Sequence, residues 1–218
     1  MAASTLFQCP ALWLAVAVEQ TEEVRQLLAG GAHVEEQGGM LPDRSSPLQV
    51  AVYRGYTERC EMDTELALLL LENGADVSAT ANEGQTALHL ASSEAVSLLL
   101  LQHGADVSAK ATGVYRGMTP LHMAARVGNT EVVRVLIEHR ANASAEDDYG
   151  RTAEDSLHLA QAIAGSHLHR QVMAMLQAEA VIRAKCVAFA MGHHERLGVG
   201  SRLQGLDPEM VRKVLEQV

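Results

Sequence analysis

Thr119-Pro120-Leu121-His122-Met123-Ala124 is the stretch of sequence that decides the fold, because it recurs at a fixed step. Thr86-Ala87-Leu88-His89-Leu90-Ala91 stands 33 residues earlier, and the weaker Thr152-Ala153-Glu154 stands 33 residues later. A fixed period of this length is typical of repeat proteins, in which each short unit buries its apolar side against its neighbours. The sequence therefore predicts a row of similar units.

Residues 119–151 form the most regular unit, and their types predict two helices joined by a tight turn. Thr119 suits a helix N-cap, and Pro120 suits the first helical position, where its missing N–H costs nothing. Gly128 suits the turn, and residues 132–137 supply the apolar positions of a second helix. The unit resembles the ankyrin repeat along its whole length, since T-P-L-H-x-A at a 33-residue period marks that family. The resemblance implies a β-turn and two antiparallel helices per unit.

The other units depart from this pattern in length. The unit from Thr86 lacks three residues near its inter-helix turn, and the unit from Ser46 has seven additional residues within 56–64, which are polar and predict a loop. A first unit starts near Pro10 and a last one at Thr152, both with weaker motifs, as expected for capping repeats. We therefore predict five repeats, starting near residues 10, 46, 86, 119 and 152.

The predicted fold is all-α: an ankyrin-repeat solenoid of about five helix-turn-helix units with β-turn or hairpin loops, followed by C-terminal capping helices. We assign residues 1–178 to the repeat domain and residues 179–218 to a helical cap. Helical patterns over 179–192 and 207–218 support the cap. The last helix has an alternative interpretation, because residues 206–211 loosely resemble the opening helix of F-box or SOCS-box adaptors. That alternative implies a substrate adaptor of a ubiquitin ligase.

The composition favours thin helices packed through small faces, since 48% of the residues are apolar but only 3% are aromatic. The apolar runs are too short to span a membrane. The apolar segment 11–18 has no basic residue before it, which favours a repeat helix over a signal peptide. Three widely spaced cysteines predict neither a disulfide framework nor a metal knuckle. We expect an intracellular protein, cytoplasmic or nuclear, that does not enter a membrane.

The net charge of −10 is concentrated in the repeats, because residues 1–150 carry 20 acidic and 9 basic side chains. An acidic surface repels a phosphate backbone, so nucleic acid is not expected as a partner. Two interpretations of the acidic charge remain open. The charge either keeps a solvated surface soluble or favours a basic protein partner.

The histidines do not predict a metal site. The ankyrin resemblance implies that His89 and His122 bond loop backbone and stiffen the turns. Four further histidines were weighed as metal ligands: His167, His169, His193 and His194. Residues two apart lie on different faces of a helix, and no cysteine spacing completes the closed ligand set of structural zinc. No metal is therefore expected.

Asp155, Ser156 and His158 have the residue types of a hydrolase triad. They are crowded into one short segment, however, and neither an oxyanion-hole motif nor a nucleophile elbow accompanies them. The sequence therefore predicts no enzyme and no cofactor. A hydrolase or metal-dependent activity within 152–218 is kept as the alternative.

The ankyrin resemblance implies that partners lie against the hairpin tips and the exposed side of the first helices. The tip residues precede each T-P-L-H start, and the helix residues follow the small alanine face. Tyr and Arg, which are enriched at interface hot spots, are frequent in this set. The predicted protein-binding residues are Asp43, Arg44, Tyr53, Arg54, Asn82, Glu83, Gln85, Tyr115, Arg116, Met118, Arg126, Val127, Asp148, Tyr149 and Arg151.

The sequence as a whole favours a monomeric protein–protein interaction module that acts as a scaffold, an inhibitor or a targeting subunit. The shortened first helix of the third unit predicts a notch between Tyr53 and Arg126, partly filled by the hairpin 114–117. Arg140 stands where other units have glycine at the end of the second helix. A left-handed residue at that position would be strained.

Overall fold

The computed structural model describes residues 10–38, 45–53, 60–81, 83–160 and 167–190, and these form a series of short helices. The α-helices are α1 (Ala11–Ala17), α2 (Thr21–Ala29), α3 (Pro47–Tyr53), α4 (Cys60–Glu72), α5 (Glu94–Gln102), α6 (Pro120–Val127), α7 (Thr130–Glu138), α8 (Ala153–Ala160) and α9 (His167–Ala190). Two 3-10 turns lie at Ala87–Leu90 and Gly113–Tyr115. Within the described ranges, β-pairing is limited to one isolated bridge between Gly38 and Ser45, so the predicted all-α class is confirmed.

The helices pack as a row of units. The first helices contact one another in the order α1, α3, the turn Ala87–Leu90, α6 and α8. The second helices follow the same order, α2, α4, α5, α7 and α9. Each unit therefore packs against its sequence neighbours, and the predicted solenoid is confirmed.

The leucine of each T-P-L-H motif marks the buried side of the row. Leu12, Leu48, Leu88 and Leu121 are each only 1% exposed. The fifth unit has Glu154 at this position, and Leu157, which is 3% exposed, belongs to the same apolar core. Truncating a fully buried leucine to alanine costs about 2–5 kcal/mol. The apolar interior is thus divided among the units and extends along the whole row.

The α6–α7 pair forms for the reasons that the sequence indicated. Thr119 is extended and caps α6, Pro120 begins the helix, and Gly128 ends it with a left-handed φ of 77°. Asn129 then caps α7 by accepting a hydrogen bond from the amide of Val132 at 3.1 Å. Gly supplies the positive φ without a steric cost, so the chain reverses within two residues.

The second and third units are irregular, and only one of the two irregularities was predicted correctly. The first helix of the third unit is reduced to the single 3-10 turn Ala87–Leu90, as the three missing residues imply. The additional residues of the second unit do not all form a loop. Residues 60–64 belong to α4, which is extended at its start, because this stretch contains neither glycine nor proline and its polar residues are compatible with a helix.

The C-terminal part differs from the prediction in one respect. The tail helix predicted from Glu179 is continuous with residues 170–176, where the fifth unit would have its second helix, and the two form one helix, α9. No glycine or proline separates them, so nothing in the sequence stops the helix at 178. The proposed domain boundary therefore falls inside α9. The predicted last helix, 207–218, lies outside the described residues.

Candidate protein-binding surface

Polar joints connect each unit to the next. The residue at the histidine position of T-P-L-H donates to the carbonyl of the residue that precedes the next unit. The four donor–acceptor pairs are Trp13 Nε1 to Ser45 O at 3.1 Å, Gln49 Nε2 to Gln85 O at 2.8 Å, His89 Nε2 to Met118 O at 3.1 Å and His122 Nε2 to Arg151 O at 3.0 Å. These bonds fix where each hairpin loop leaves the row.

The two histidines in these joints are held neutral by burial. His89 is 4% exposed, and desolvation lowers its pKa from 6.5 to about 4, although its bond to the Met118 carbonyl opposes the shift. His89 Nδ1 accepts a hydrogen bond from the Thr86 amide at 3.1 Å, so the ring proton lies on Nε2. Burial also lowers the pKa of His122, which has the same pair of bonds.

The tips of neighbouring hairpin loops are linked through their backbones. The Thr112 amide donates to Glu83 O at 2.6 Å, and the Asp148 amide donates to Arg116 O at 3.2 Å. A glycine with positive φ faces each later loop, and Gly117 leaves no room for a side chain, since an added Cβ would lie 2.6 Å from the Asp148 nitrogen. The loop tips are therefore fixed relative to one another.

The last described loop is organised around a buried carboxylate. Asp147 is 5% exposed and accepts hydrogen bonds from the Tyr149 and Arg151 amides and from the Arg151 guanidinium, the shortest at 2.7 Å. Burial raises the pKa of Asp147, but these hydrogen bonds outweigh it and the net shift is downward. The Arg151 guanidinium also lies 4.7 Å from the centroid of the Tyr149 ring, and that ring is 63% exposed.

A second Tyr–Arg pair lies at the end of α6. The Arg126 guanidinium stands 4.9 Å from the centroid of the Tyr115 ring, so the loop that contains the Gly113–Tyr115 turn folds back towards this helix. Val127, the next residue, is 47% exposed, and Tyr53 is 60% exposed at the corresponding end of α3. Aromatic and apolar side chains are thus exposed along the ends of the first helices.

Charge is distributed unequally between the two layers of helices. The second helices α2, α4, α5 and α7 carry nine acidic residues and two arginines. Helices α1, α3 and α6 and the turn Ala87–Leu90 carry no carboxylate and a single formal charge, that of Arg126. The second helices therefore have a net charge of −7, and the first helices are nearly uncharged. The other eleven acidic residues of 1–150 belong to neither set of helices.

Comparison with known families agrees with this geometry. A family model described as ankyrin repeats, in three copies, matches residues 12–111, and a model described as an ankyrin repeat matches residues 116–148. The chain belongs to the ankyrin-repeat family. The four matched repeats coincide with the units built on Leu12, Leu48, Leu88 and Leu121, and the fifth unit extends the same packing beyond the matched residues.

The structure brings several predicted residues of this ankyrin-repeat chain to one surface. We call the surface formed by Tyr53, Tyr115, Arg116, Arg126, Val127 and Tyr149 the first-helix face. Glu83, Asp148 and Arg151 flank it on the linked loop tips, where Arg151 is already paired with Asp147. Gln85 is half-buried, and its carbonyl belongs to a polar joint. Binding by these residues stays a prediction.

One predicted residue does not belong to this surface. Met118 is 6% exposed, and its carbonyl accepts a hydrogen bond from His89. Its side chain is therefore not part of the exposed surface, and its contact with a partner stays a prediction. Four other predicted residues lie outside the described residues: Asp43, Arg44, Arg54 and Asn82.

Sequence reasoning missed one feature of the joints and one of the loop tips. Trp13 and Gln49 stand at the histidine position of their units, but their donor role was not predicted. The shared position in the motif was the available signal, because indole and amide N–H groups reach as far as an imidazole. The close approach of Gly117 to the next loop was also missed, since the sequence does not specify loop-to-loop distances.

One of the residues weighed for chemistry, Asp155, has a structural role. Asp155 occupies the histidine position of the fifth ankyrin repeat and accepts hydrogen bonds from the amide and the hydroxyl of Thr152, at 2.8 and 2.9 Å. Among the described side chains, no group of three His, Cys, Asp or Glu residues is placed to hold a metal ion. None of the described helices is both long and apolar enough to cross a membrane.

Proposed function

We propose that this ankyrin-repeat chain acts as a monomeric scaffold, inhibitor or targeting subunit inside the cell, and that it binds its protein partner through the first-helix face. Ankyrin repeats are in general protein–protein interaction modules, and proteins built from them are typically not enzymes. The proposal accordingly includes no catalytic activity and no cofactor of its own.

The observation that carries this proposal is the concentration of exposed aromatic side chains on the first-helix face and its adjoining loops. Tyr53 and Tyr149 are 60% and 63% exposed. Tyr115 and Tyr149 each stack with an arginine, so their rings are already ordered before a partner arrives. Ordered aromatic and arginine side chains are the usual anchors of protein interfaces, because little side-chain entropy is lost on binding.

The first-helix face differs in charge from the side of the row that the second helices form. The expected preference for a basic partner rests on the acidic excess, the larger part of which is carried by the second helices and none by the first helices. A basic partner would therefore be attracted over long range without being selected by the first-helix face. The adaptor alternative rests on residues 206–211, outside the described residues, and no further observation favours it.

The test is affinity capture from a native lysate with the wild-type chain and with Tyr115→Ala/Tyr149→Ala, followed by quantitative mass spectrometry and by measurement of affinity for the captured partner. Removing two hot-spot side chains should weaken that affinity more than tenfold, or by more than about 1.4 kcal/mol. Far-UV circular dichroism should be unchanged, because neither ring is buried in the row.

Leu68→Ala is the matched control, since Leu68 is an exposed apolar residue on α4, a second helix. This variant should retain wild-type affinity. Equal affinities for the wild type and the double tyrosine variant would remove the first-helix face as the binding site.

A further inference from the structure

The row of first helices is interrupted at the third unit. Helix α3 continues to Tyr53 and α6 to Val127, but the turn Ala87–Leu90 ends after four residues and the chain enters α5 at Ser93. The last turn that α3 and α6 both possess is therefore missing between them. Two packing steps of about 8–10 Å each would place the ends of α3 and α6 about 16–20 Å apart. We call this position the unit-three gap.

Arg126 borders the unit-three gap with unused hydrogen-bonding capacity. Its Nε is buried and has no hydrogen-bond partner among the described residues, and the contact found for its guanidinium is the Tyr115 ring. Ser92, in the segment that replaces the missing turn, likewise has a buried hydroxyl without a partner. Ser92 lies against the end of α6, since its carbonyl accepts a hydrogen bond from Asn129 at 2.6 Å.

No ion pair is found for Arg126 among the described residues, which is unusual because acidic residues outnumber basic ones in this chain, 27 to 17. Arg25 is paired with Glu65, Arg134 with Glu94 and Arg151 with Asp147. Arg116 resembles Arg126, since no ion pair is found for it in the described part of the chain. Two guanidinium groups for which the described residues provide no ion pair thus lie on the first-helix face, where the first helices of units one to four offer no carboxylate.

A carboxylate of the partner protein would supply the ion pair that the described residues do not provide for the Arg126 and Arg116 guanidinium groups. The guanidinium group is planar and binds carboxylates through paired hydrogen bonds, and such charge-assisted bonds are about twice as strong as neutral ones. The aromatic stacking with Tyr115 holds the Arg126 group in place before binding. Exposed Val127 and Tyr53 flank the unit-three gap and would pack against apolar groups beside the carboxylate.

We propose that the unit-three gap receives a segment of the partner protein that carries an aspartate or glutamate beside an apolar side chain, and that Arg126 binds this carboxylate. The inference rests on the proposed function and adds the chemistry of the partner. It also reverses the charge expected from the overall composition, because the charged side chains of the first-helix face itself are Arg126 and Arg116, while the acidic Glu83 and Asp148 lie on the flanking loop tips.

The test uses a phage-displayed library of random dodecapeptides selected on the full chain. Enriched peptides should contain Asp or Glu next to an aromatic or aliphatic residue. By fluorescence anisotropy, Arg126→Gln should weaken the best peptide at least tenfold, and an amide version of that peptide should weaken binding to the wild type equally. Combining both changes should add little, because both remove the same interaction.

Arg134→Gln is the matched control, since Arg134 is an arginine of the same repeat that is paired with Glu94 and Glu138 on the second-helix side. It should leave peptide affinity unchanged. Arg126→Lys, which keeps the charge and loses the planar fork, should give an intermediate affinity. Thermal melting of each variant separates loss of binding from loss of folding.

Three results would overturn this inference: enriched peptides without acidic residues, acidic peptides that bind Arg126→Gln as tightly as the wild type, or no enrichment. If binding is lost in Tyr115→Ala/Tyr149→Ala but kept in Arg126→Gln, the result supports the first-helix face as the binding site and contradicts the recognition of an acidic segment by Arg126. If neither variant changes the affinity of the enriched peptides, the proposed surface is wrong as well.

Discussion

At the scale of single residues, the joints depend on the reach of one N–H group and not on a particular side chain. An indole, an amide and two imidazoles occupy the same position and donate to equivalent carbonyls. Gln49 even reproduces both halves of the histidine pattern, because its Oε1 accepts from the Ser46 amide at 2.9 Å while its Nε2 donates. Only the imidazoles titrate near neutral pH, so only the joints of His89 and His122 depend on acidity.

The substitution His89→Gln should therefore preserve most of the stability at pH 7.5 and reduce its dependence on pH. The pKa of His89 is about 4 in the folded chain and near 6.5 when unfolded, so the unfolded state binds more protons between these values. Stability falls as the pH drops from 6.5 towards 4, by up to about 3 kcal/mol from this group. Urea unfolding at pH 7.5, 6 and 5 measures the slope.

His103→Gln is the control for this experiment, because His103 is an exposed histidine that follows α5. It should retain the wild-type pH dependence. A residual slope is expected in His89→Gln, since burial also lowers the pKa of His122. A full wild-type slope in His89→Gln would contradict the assignment of the acid sensitivity to this joint.

Arg140 has the strained backbone that its position in the sequence predicted. Its φ is 66°, and the corresponding residues Gly74 and Gly104 have φ values of 88° and 87°. Left-handed backbone costs a residue with a Cβ about 1–2 kcal/mol, part of which is offset because glycine makes the unfolded chain more flexible. Arg140→Gly should therefore raise the free energy of unfolding by about 0.5–1 kcal/mol in urea titrations.

Gly104→Arg is the reciprocal variant and should lower the stability by a similar amount. It places the arginine at the equivalent position one unit earlier, where an added Cβ meets no other atom. If Arg140→Gly were less stable than the wild type, the contacts of the Arg140 side chain would outweigh the backbone strain.

At the scale of elements, the hairpin loops behave as a connected layer, and Gly117 is the position that tests it. Gly117 and Gly104 both have positive φ, so alanine strains the backbone at either site. Of these two positions, only Gly117 would bring an added Cβ against the backbone of the next loop, 2.6 Å from the Asp148 nitrogen. Gly117→Ala should cost at least about 1 kcal/mol more than Gly104→Ala in thermal or urea unfolding.

Hydrogen exchange distinguishes backbone strain at residue 117 from the contact between the added Cβ and the next loop. The Asp148 amide, which donates to Arg116, should exchange faster in Gly117→Ala and remain unchanged in Gly104→Ala. Equal losses of stability in the two variants, with equal protection of the Asp148 amide, would show that the tips are not linked in solution.

The elements that sequence reasoning predicted well are those with explicit start and stop signals. Thr119, Pro120 and Gly128 delimit α6, and the missing residues after Leu90 shorten the third unit as expected. The errors fall where no residue sets a boundary. Helix α4 takes in residues 60–64, and α9 passes position 178, because polar but helix-compatible residues leave the choice to packing.

At the scale of the whole molecule, the distribution of charge is the property that the composition predicted least well. The net charge of −10 is a property of the sequence, but its distribution between two helix layers depends on which face each helix buries. Helical periodicity gives that face within one helix, and only the stacking of units aligns the faces along the row. The candidate surface was therefore predicted by residue type, while its local charge was not.

The acidic residues on the second helices predict that the stability of the chain depends on the salt concentration. Like charges on α2, α4, α5 and α7 repel one another in the folded row, and salt reduces this repulsion, with a Debye length of about 10 Å at 0.1 M. Raising NaCl from 20 to 300 mM should therefore raise the Tm by a few degrees, since about 1 kcal/mol corresponds to 2–4 °C in a chain of this size.

A variant with less acidic charge should respond less. Glu23 and Glu72 are exposed on α2 and α4, and no ion pair is found for either in the described part of the chain. Glu23→Gln/Glu72→Gln should begin with a higher Tm at 20 mM NaCl and gain less from added salt. A Tm that falls with salt in the wild type would indicate that ion pairs such as Arg134–Glu94 outweigh the repulsion.

The polar joints also give the row a direction. In each one the donor lies in the motif that begins a unit, and the acceptor is the residue just before the next motif. Shortening the chain from its C-terminal end past that acceptor leaves an interior N–H without its partner, whereas shortening it from the N-terminal end past the donor leaves a loop carbonyl that water can reach, which is less costly. During synthesis, each donor that leaves the ribosome stays unsatisfied until the loop before the next motif has been made.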